Sequence, residues 1–240
     1  MKKVLLILCI LAFGIQLASG QAALLVLLFG DKVASENFYF SMKGGLNYNG
    51  LPGLSEFGYK TDIHFGLAAN IRLNDQWTLV PEFMPLARRG ARKLEVEPTD
   101  NAEIDSLNPT SVSLSRNLNY IDIPVLIRYT LKERWVFEMG PQFSLLTGAN
   151  DKYEAKFEDG SELTYAIDRK DVHTSVDCGF VVSIGYIISK SRGGKGMELH
   201  FRYYEGFVDV SKIEGKSYRN RMFQASVSFP FILVEEPTSD

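Results

Sequence analysis

From Phe38 onward the chain alternates apolar and polar residues singly, over runs of roughly ten residues, and no long stretch repeats with the period of a helix. Between 119 and 129, Ile121, Ile123, Val125, Ile127 and Tyr129 share one face of an extended strand, opposite Tyr120, Asp122, Pro124, Leu126 and Arg128. Between 135 and 145, Trp135, Phe137, Met139, Pro141, Phe143 and Leu145 oppose Val136, Glu138, Gly140, Gln142 and Ser144. Between 63 and 73, Ile63, Phe65, Leu67, Ala69, Ile71 and Leu73 oppose His64, Gly66, Ala68, Asn70 and Arg72. Similar stripes at 38–48, 77–87, 174–188, 197–204 and 222–231 bring the count to about eight strands, each long enough to cross a bilayer when tilted.

The connections alternate in length. Asn74-Asp75, 132–134 and 189–195 are short, whereas 49–61, 88–117, 147–172 and 206–220 are long and polar. In outer-membrane barrels the short turns face the periplasm and the long loops face outside, so an even strand count returns both termini to the periplasm. The pattern therefore predicts an all-β fold, an antiparallel up-and-down transmembrane β-barrel of about eight strands over residues 38–233. A periplasmic segment at 21–37 would precede it and a periplasmic tail at 234–240 would follow.

A soluble ligand-carrying barrel hides an apolar lumen, whereas a membrane barrel shows its apolar face to lipid. Here the polar faces hold Lys43, His64, Arg72, Glu82, Asp122, Arg128, Glu138, Asp177, Glu198, His200 and Arg202, residues that suit no dry ligand cavity. They are expected in a polar lumen that side chains fill, since a ring of about eight strands is just wide enough for them. Lys43, Arg72, Arg128 and Arg202 should share one ion network with Glu82, Asp122, Glu138, Asp177 and Glu198, closing the lumen to water. Trp77 and Trp135 follow short turns, Tyr129 precedes one, and all three fall on the outward face, where a periplasmic aromatic girdle would sit. The general preference of strands for aromatic residues is the competing explanation.

Composition narrows the class further. The 240 residues are 45% hydrophobic and 23% charged, enough apolar material for a core and too little charge bias for a disordered chain. A net charge of −3 and a pI near 5.7 lack the basic excess of a general nucleic-acid binder, and a mean hydropathy of −0.05 excludes a helical membrane protein. Met1-Lys2-Lys3, an apolar run to Ile15 and then Ala18-Ser19-Gly20 read as a secretory signal over residues 1–20. Because Ala22–Phe29 is apolar as well, an uncleaved anchor competes with that reading. Cleavage would remove Cys9 and leave Cys178 alone, so no intrachain disulfide is expected.

Candidate chemistry is sparse. His64, His173 and His200 have neither short spacing nor neighbouring cysteines, so no metal site is expected, and His64 and His200 read as satisfied lumen histidines. His173, Ser175 and Asp171 share a loop rim of the kind where lipid-modifying barrels act, but adjacent polar residues are common in loops and no catalytic residue is assigned. Arg88, Arg89, Arg92 and Lys93 form a dense basic cluster at the outer end of the third strand, where lipopolysaccharide phosphates would lie. A solvated loop start, balanced by Glu95, Glu97, Asp100, Glu103 and Asp105, explains the cluster equally well.

The run Asn119-Tyr-Ile-Asp-Ile-Pro-Val-Leu-Ile-Arg-Tyr129 resembles the strand signature of the PorT-like outer-membrane β-barrel family of Bacteroidota. Lys43-Gly-Gly-Leu-Asn47, Phe65-Gly-Leu67, Trp77-Thr-Leu-Val-Pro-Glu82 and Met139-Gly-Pro141 extend the likeness over nearly the whole chain after the signal. The resemblance implies the barrel fold and, through the member that gave the family its name, a link to protein secretion. The segment Ala22–Glu36 departs from a plain barrel and would be a short helix, an added strand or a partner-binding arm. The resulting expectation is a monomeric, non-enzymatic outer-membrane protein that anchors, binds, or assists secretion or envelope assembly. It would meet outer-membrane lipid, lipopolysaccharide and secretion or envelope proteins, with no nucleic acid and no cofactor. A small passive pore and a lipid-modifying enzyme are the competing classes.

Overall fold

The computed structural model describes residues 37–95, 106, 109–188 and 196–230. The expected signal at 1–20, nearly all of the segment at 21–37 and the tail at 234–240 lie outside the described residues. Within them the strands are β1 (Phe38–Gly50), β2 (Gly58–Arg72), β3 (Trp77–Leu94), β4 (Ser111–Leu131), β5 (Trp135–Lys156), β6 (Glu162–Asp168), β7 (Val176–Ile187), β8 (Glu198–Gly206) and β9 (Arg221–Pro230). Successive strands pair antiparallel, β7 takes the place beside β5, and β1 pairs with β9, so eight strands form a ring in the order β1-β2-β3-β4-β5-β7-β8-β9. β6 stands outside the ring and pairs with the far end of β5, Asn150–Lys156.

Single alternation gives each strand two unlike faces. Phe65, Phe83, Ile123, Val125, Phe137, Met139, Phe143, Val182, Ile184 and Phe201 are exposed on the outside. The apolar stripe runs from Trp135 to Leu145 on β5 and from Tyr129 back to Ile121 on β4, the span of about 9–11 residues that a tilted strand needs to cross a bilayer. Its turn-side edge carries Trp77 beside Tyr129, with ring centroids 5.0 Å apart, and Trp135 beside Tyr186 at 5.1 Å. Its other edge carries Tyr48 stacked on Tyr59 at 4.7 Å and Tyr203 against Phe223 at 5.1 Å, a second aromatic band that the sequence reading did not place.

Beyond that band the polarity of the wall reverses. Ser113, Ser115, Asn117 and Asn119 point outward on β4, while Leu114 and Leu118 point inward with Ala91, Leu94, Ala149 and Tyr153 into an apolar core closed by Leu51, Val210 and Tyr218. Of the stretches 88–117 and 147–172, expected as loops, residues 88–94, 111–117, 147–156 and 162–168 are therefore strand. β3 continues to Leu94, β4 begins at Ser111, and β5 runs to Lys156 before returning as β6. Burial of this apolar set is what stabilises the extended hairpins outside the membrane.

Two bulges mark the boundary. On β3, Met84 faces Asp122 but Ala87 faces Tyr120, so β3 carries one extra residue. On β5, Leu146 faces Tyr120 but Gly148 faces Asn119, again one extra residue. An extra residue exchanges the two faces of everything that follows. Val80, Glu82 and Met84 point inward below the first bulge, and Ala87, Arg89 and Ala91 point inward above it. The strained continuation needs Gly90, whose φ is +144° and where a Cβ would lie 1.9 Å from the Arg116 carbonyl oxygen.

Candidate functional site

The lumen is filled by three tiers of charged and polar side chains. In the tier nearest the short turns, Lys43 of β1 donates to Glu82 of β3 at 2.8 Å and lies 3.6 Å from Glu138 of β5. Arg202 of β8 donates both terminal nitrogens to the Glu82 carboxylate at 2.8 Å and reaches Glu138 at 3.3 Å. Arg128 of β4 donates to Glu138, its direct register partner, at 2.9 and 2.6 Å, and to Glu198 of β8 at 3.2 Å. His200 contacts Glu198 at 2.9 Å, and its ring has room because Gly185 lies opposite, where a Cβ would stand 2.7 Å from Nδ1. Three cations thus face three carboxylates, all buried, which is the condition for ionised groups in a low-dielectric interior.

The middle tier is organised by Arg89. Its terminal nitrogens donate to Asp122 of β4 at 2.5 Å, Ser144 of β5 at 3.0 Å and Asp177 of β7 at 3.0 Å. The guanidinium lies between the rings of Tyr120 and Tyr204, 4.5 and 4.8 Å from their centroids, so cation–π contact adds to the charge pairing. Tyr204 and Asn220 donate to Asp177, and Gln142 donates to Asp122.

The outer tier lies above the membrane band. Arg116 grips Asp151 bidentately, 2.7 Å on each side, and donates to the Tyr218 hydroxyl at 2.8 Å. That hydroxyl is 2.9 Å from His173 Nε2, and His173 Nδ1 is 2.6 Å from the Arg169 carbonyl. A carbonyl can only accept, so Nδ1 carries the proton and Nε2 accepts from Tyr218. The direction of donation is thereby fixed from Arg116 through Tyr218 and His173 to Arg169. Burial lowers the His173 pKa below the usual histidine value, and the charge of Arg116 pushes the same way against the hydrogen bond to Arg169.

The structure turns Lys43, Glu82, Asp122, Arg128, Glu138, Asp177, Glu198 and Arg202 into the lumen, but in separate tiers rather than through one shared set of partners. Arg72 is a correction: it ends β2 at the mouth of the barrel and pairs with Asp75 of the turn at 2.7 Å, partly in solvent. Arg89 is the other correction. It leaves the proposed surface cluster because the β3 bulge turns it inward, where it is 1% exposed, while Arg88, Arg92 and Lys93 stay exposed. His173 is buried against Tyr218, with Ser175 and Asp171 exposed beside it, so these three do not assemble into a nucleophile and base. His64 is buried in the lumen. Arg116 was missed although Leu114, Arg116, Leu118 and Tyr120 continue the inward stripe of Asp122 without interruption; Arg89 had no such signal. Among the described residues no group of three His, Cys, Asp or Glu is placed to hold a metal ion.

Residues 31–212 match the family model described as outer membrane protein beta-barrel domain. Similar solved structures include Neisserial surface protein A, with a TM-score of 0.41 and 12% identity, covering 81% of this chain and 97% of that one. Ail, the attachment invasion locus protein of Yersinia pestis, aligns with a TM-score of 0.36 and 12% identity over 80% of this chain and 97% of its own. Outer membrane protein AlkL aligns with a TM-score of 0.35 and 13% identity over 85% of this chain and 95% of its own. No curated protein matches the sequence.

Proposed function

The chain belongs to the outer membrane protein beta-barrel family, and we propose that it is a non-conducting, non-enzymatic anchor whose outer head binds a partner. One observation carries this reading: the innermost tier joins walls that lie opposite each other in the ring. Lys43 on β1 approaches Glu138 on β5, and Arg202 on β8 holds Glu82 on β3, each four strands away around the circle. A solute passing along the axis would have to separate these buried pairs, and leaving one charge buried without its partner typically costs about 3–5 kcal/mol.

The outer tier supports binding rather than chemistry. His173 has both ring nitrogens engaged, which leaves neither free to act as a general base for a nearby hydroxyl. Arg88, Arg92 and Lys93, exposed just beyond the apolar band, support contact with lipopolysaccharide phosphates. The process served is the finer question, and the PorT-like run from Asn119 to Tyr129 favours protein secretion. Crosslinking in intact cells tests that step, and a bound set lacking secretion components removes it. Planar-bilayer recording of the purified chain tests the anchor itself. The expected record is a flat baseline, and a steady large conductance from the wild type overturns the reading.

A further inference from the structure

We propose that a pocket at the outer mouth binds a primary alkylammonium group, an aliphatic stem ending in a cationic amine. The pocket is about 280 Å³ and is bordered by the first outer loop, the facing ends of β3 and β4 at Leu94, Glu95, Leu114 and Arg116, and the last outer loop. That is below the roughly 300–1,000 Å³ of a site for a drug-sized ligand, and suits one unbranched chain. Its apolar lining is Leu54, Leu94 and Leu114, a surface for methylene groups, and its carboxylates are Glu56 and Glu95.

The sign of the ligand follows from which charges are already used. Arg116 also borders the pocket, but its guanidinium is committed to Asp151 on two sides and to Tyr218 on a third. Lys216 is likewise engaged within the protein. Glu56 and Glu95 are exposed, and neither forms an ion pair or side-chain hydrogen bond with any of the described residues. Among the described residues the pocket's arginine is therefore paired while its two carboxylates are not, so the pocket offers an incoming group apolar walls and negative charge. The backbone holds this shape. Gly53, at φ +110°, lets the first loop approach the last so closely that a Cβ would lie 2.3 Å from the Ser217 carbonyl oxygen.

This inference deepens the binding role proposed above and rests on it, but the two fail separately, because amine binding is read without reference to conductance. The test uses the full chain in nonionic detergent micelles, with saturation-transfer NMR of pentylamine, 1,5-diaminopentane, a peptide containing one lysine, and pentanoate. Saturable binding of the amines with exclusion of pentanoate is expected. The double variant Glu56→Gln/Glu95→Gln should weaken amine binding by about fivefold, the upper scale of a solvent-exposed ion pair. Both positions are exposed, so the variant should fold, and an unchanged mobility shift of the unheated protein on gels checks that it has. A lysine peptide that outcompetes the free diamine identifies a basic side chain of a partner protein as the source, and the reverse order identifies a free polyamine. Equal binding of pentanoate, amine binding that survives in the folded double variant, or no amine binding at all overturns the proposal.

Discussion

The lower and upper halves of the same strands are built inside out with respect to each other. Along β4, the stretch from Ile121 to Tyr129 shows Ile121, Ile123, Val125 and Ile127 to the outside and keeps Asp122 and Arg128 within. From Ser111 to Asn119 the same strand shows serines and asparagines to the outside and keeps Leu114 and Leu118 within. The backbone pairing is continuous through both halves, so the difference lies in the solvent on each side. Lipid outside makes an apolar exterior cheap and leaves polar residues for the interior, while water outside restores the ordinary arrangement. The ion tiers divide the same way, with the two lower tiers filling the lumen and Arg116, Asp151 and His173 forming a buried polar group within the apolar core of the head.

The largest expected effect comes from breaking the lower half from within. Replacing Arg128 by Leu leaves Glu138 and Glu198 buried without their shared cation, and should lower the stability of the folded barrel by about 3–5 kcal/mol. The matching change at Arg72, whose partner Asp75 is almost fully in solvent, removes an exposed pair worth about 0–1 kcal/mol. Urea unfolding in lipid vesicles, followed by the fluorescence of Trp77 and Trp135, measures both. Equal shifts for the two variants would show that the lumen tier adds no more than a surface pair.

The outward faces give the next test. Met139 sits in the middle of the apolar stripe on β5, and a lysine there should cost about 2–4 kcal/mol, the range for a cation near the bilayer midplane. Ser113 faces outward on the upper half of β4 opposite Glu154, and a lysine there should change stability by no more than about 0.5 kcal/mol. The same unfolding assay in vesicles reads both. If Ser113→Lys proved as costly as Met139→Lys, the band assigned to lipid would have to extend over the head.

The lower half was legible in the sequence because lipid enforces a strong period of two, with isoleucine, valine and phenylalanine on one face and ionic residues on the other. The upper half was not, for two physical reasons. Its exterior is serine and asparagine, which also compose loops, so the alternation in 88–94, 111–118 and 146–156 was masked by a composition that reads as loop. The bulges then changed the phase without changing composition: Arg88-Arg89 offers two equivalent arginines, and only the extra residue on β3 decides that Arg89 enters the lumen. Arg72 failed in a third way, since it keeps the inward phase but lies where the wall ends and the turn can capture it.

The smallest expected effect is a pH dependence confined to the head. His173 faces Arg116, Arg169 and Lys212 as cations, Asp151 as an anion, and Tyr218 as its donor. Burial depresses its pKa in the folded state, so below the ordinary value of about 6.5 the unfolded segment binds the proton more tightly than the folded one. The sign follows: this contribution to stability is complete above about pH 6.5 and is lost as the pH falls beneath it, by at most about 1.4 kcal/mol per pH unit for one proton. Protonation would also put a donor on Nε2, where Tyr218 now donates, and so break the relay that ties the last outer loop to β4 and β5. Brief digestion with a protease of broad pH range, normalised to an unstructured peptide, should therefore cut the outer loops faster at pH 5 than at pH 7.5 while the membrane strands stay intact. His173→Gln keeps a neutral donor and acceptor in that position and should flatten the difference. Loops that are cut equally at both pH values in the wild type would show that the head does not depend on a neutral His173.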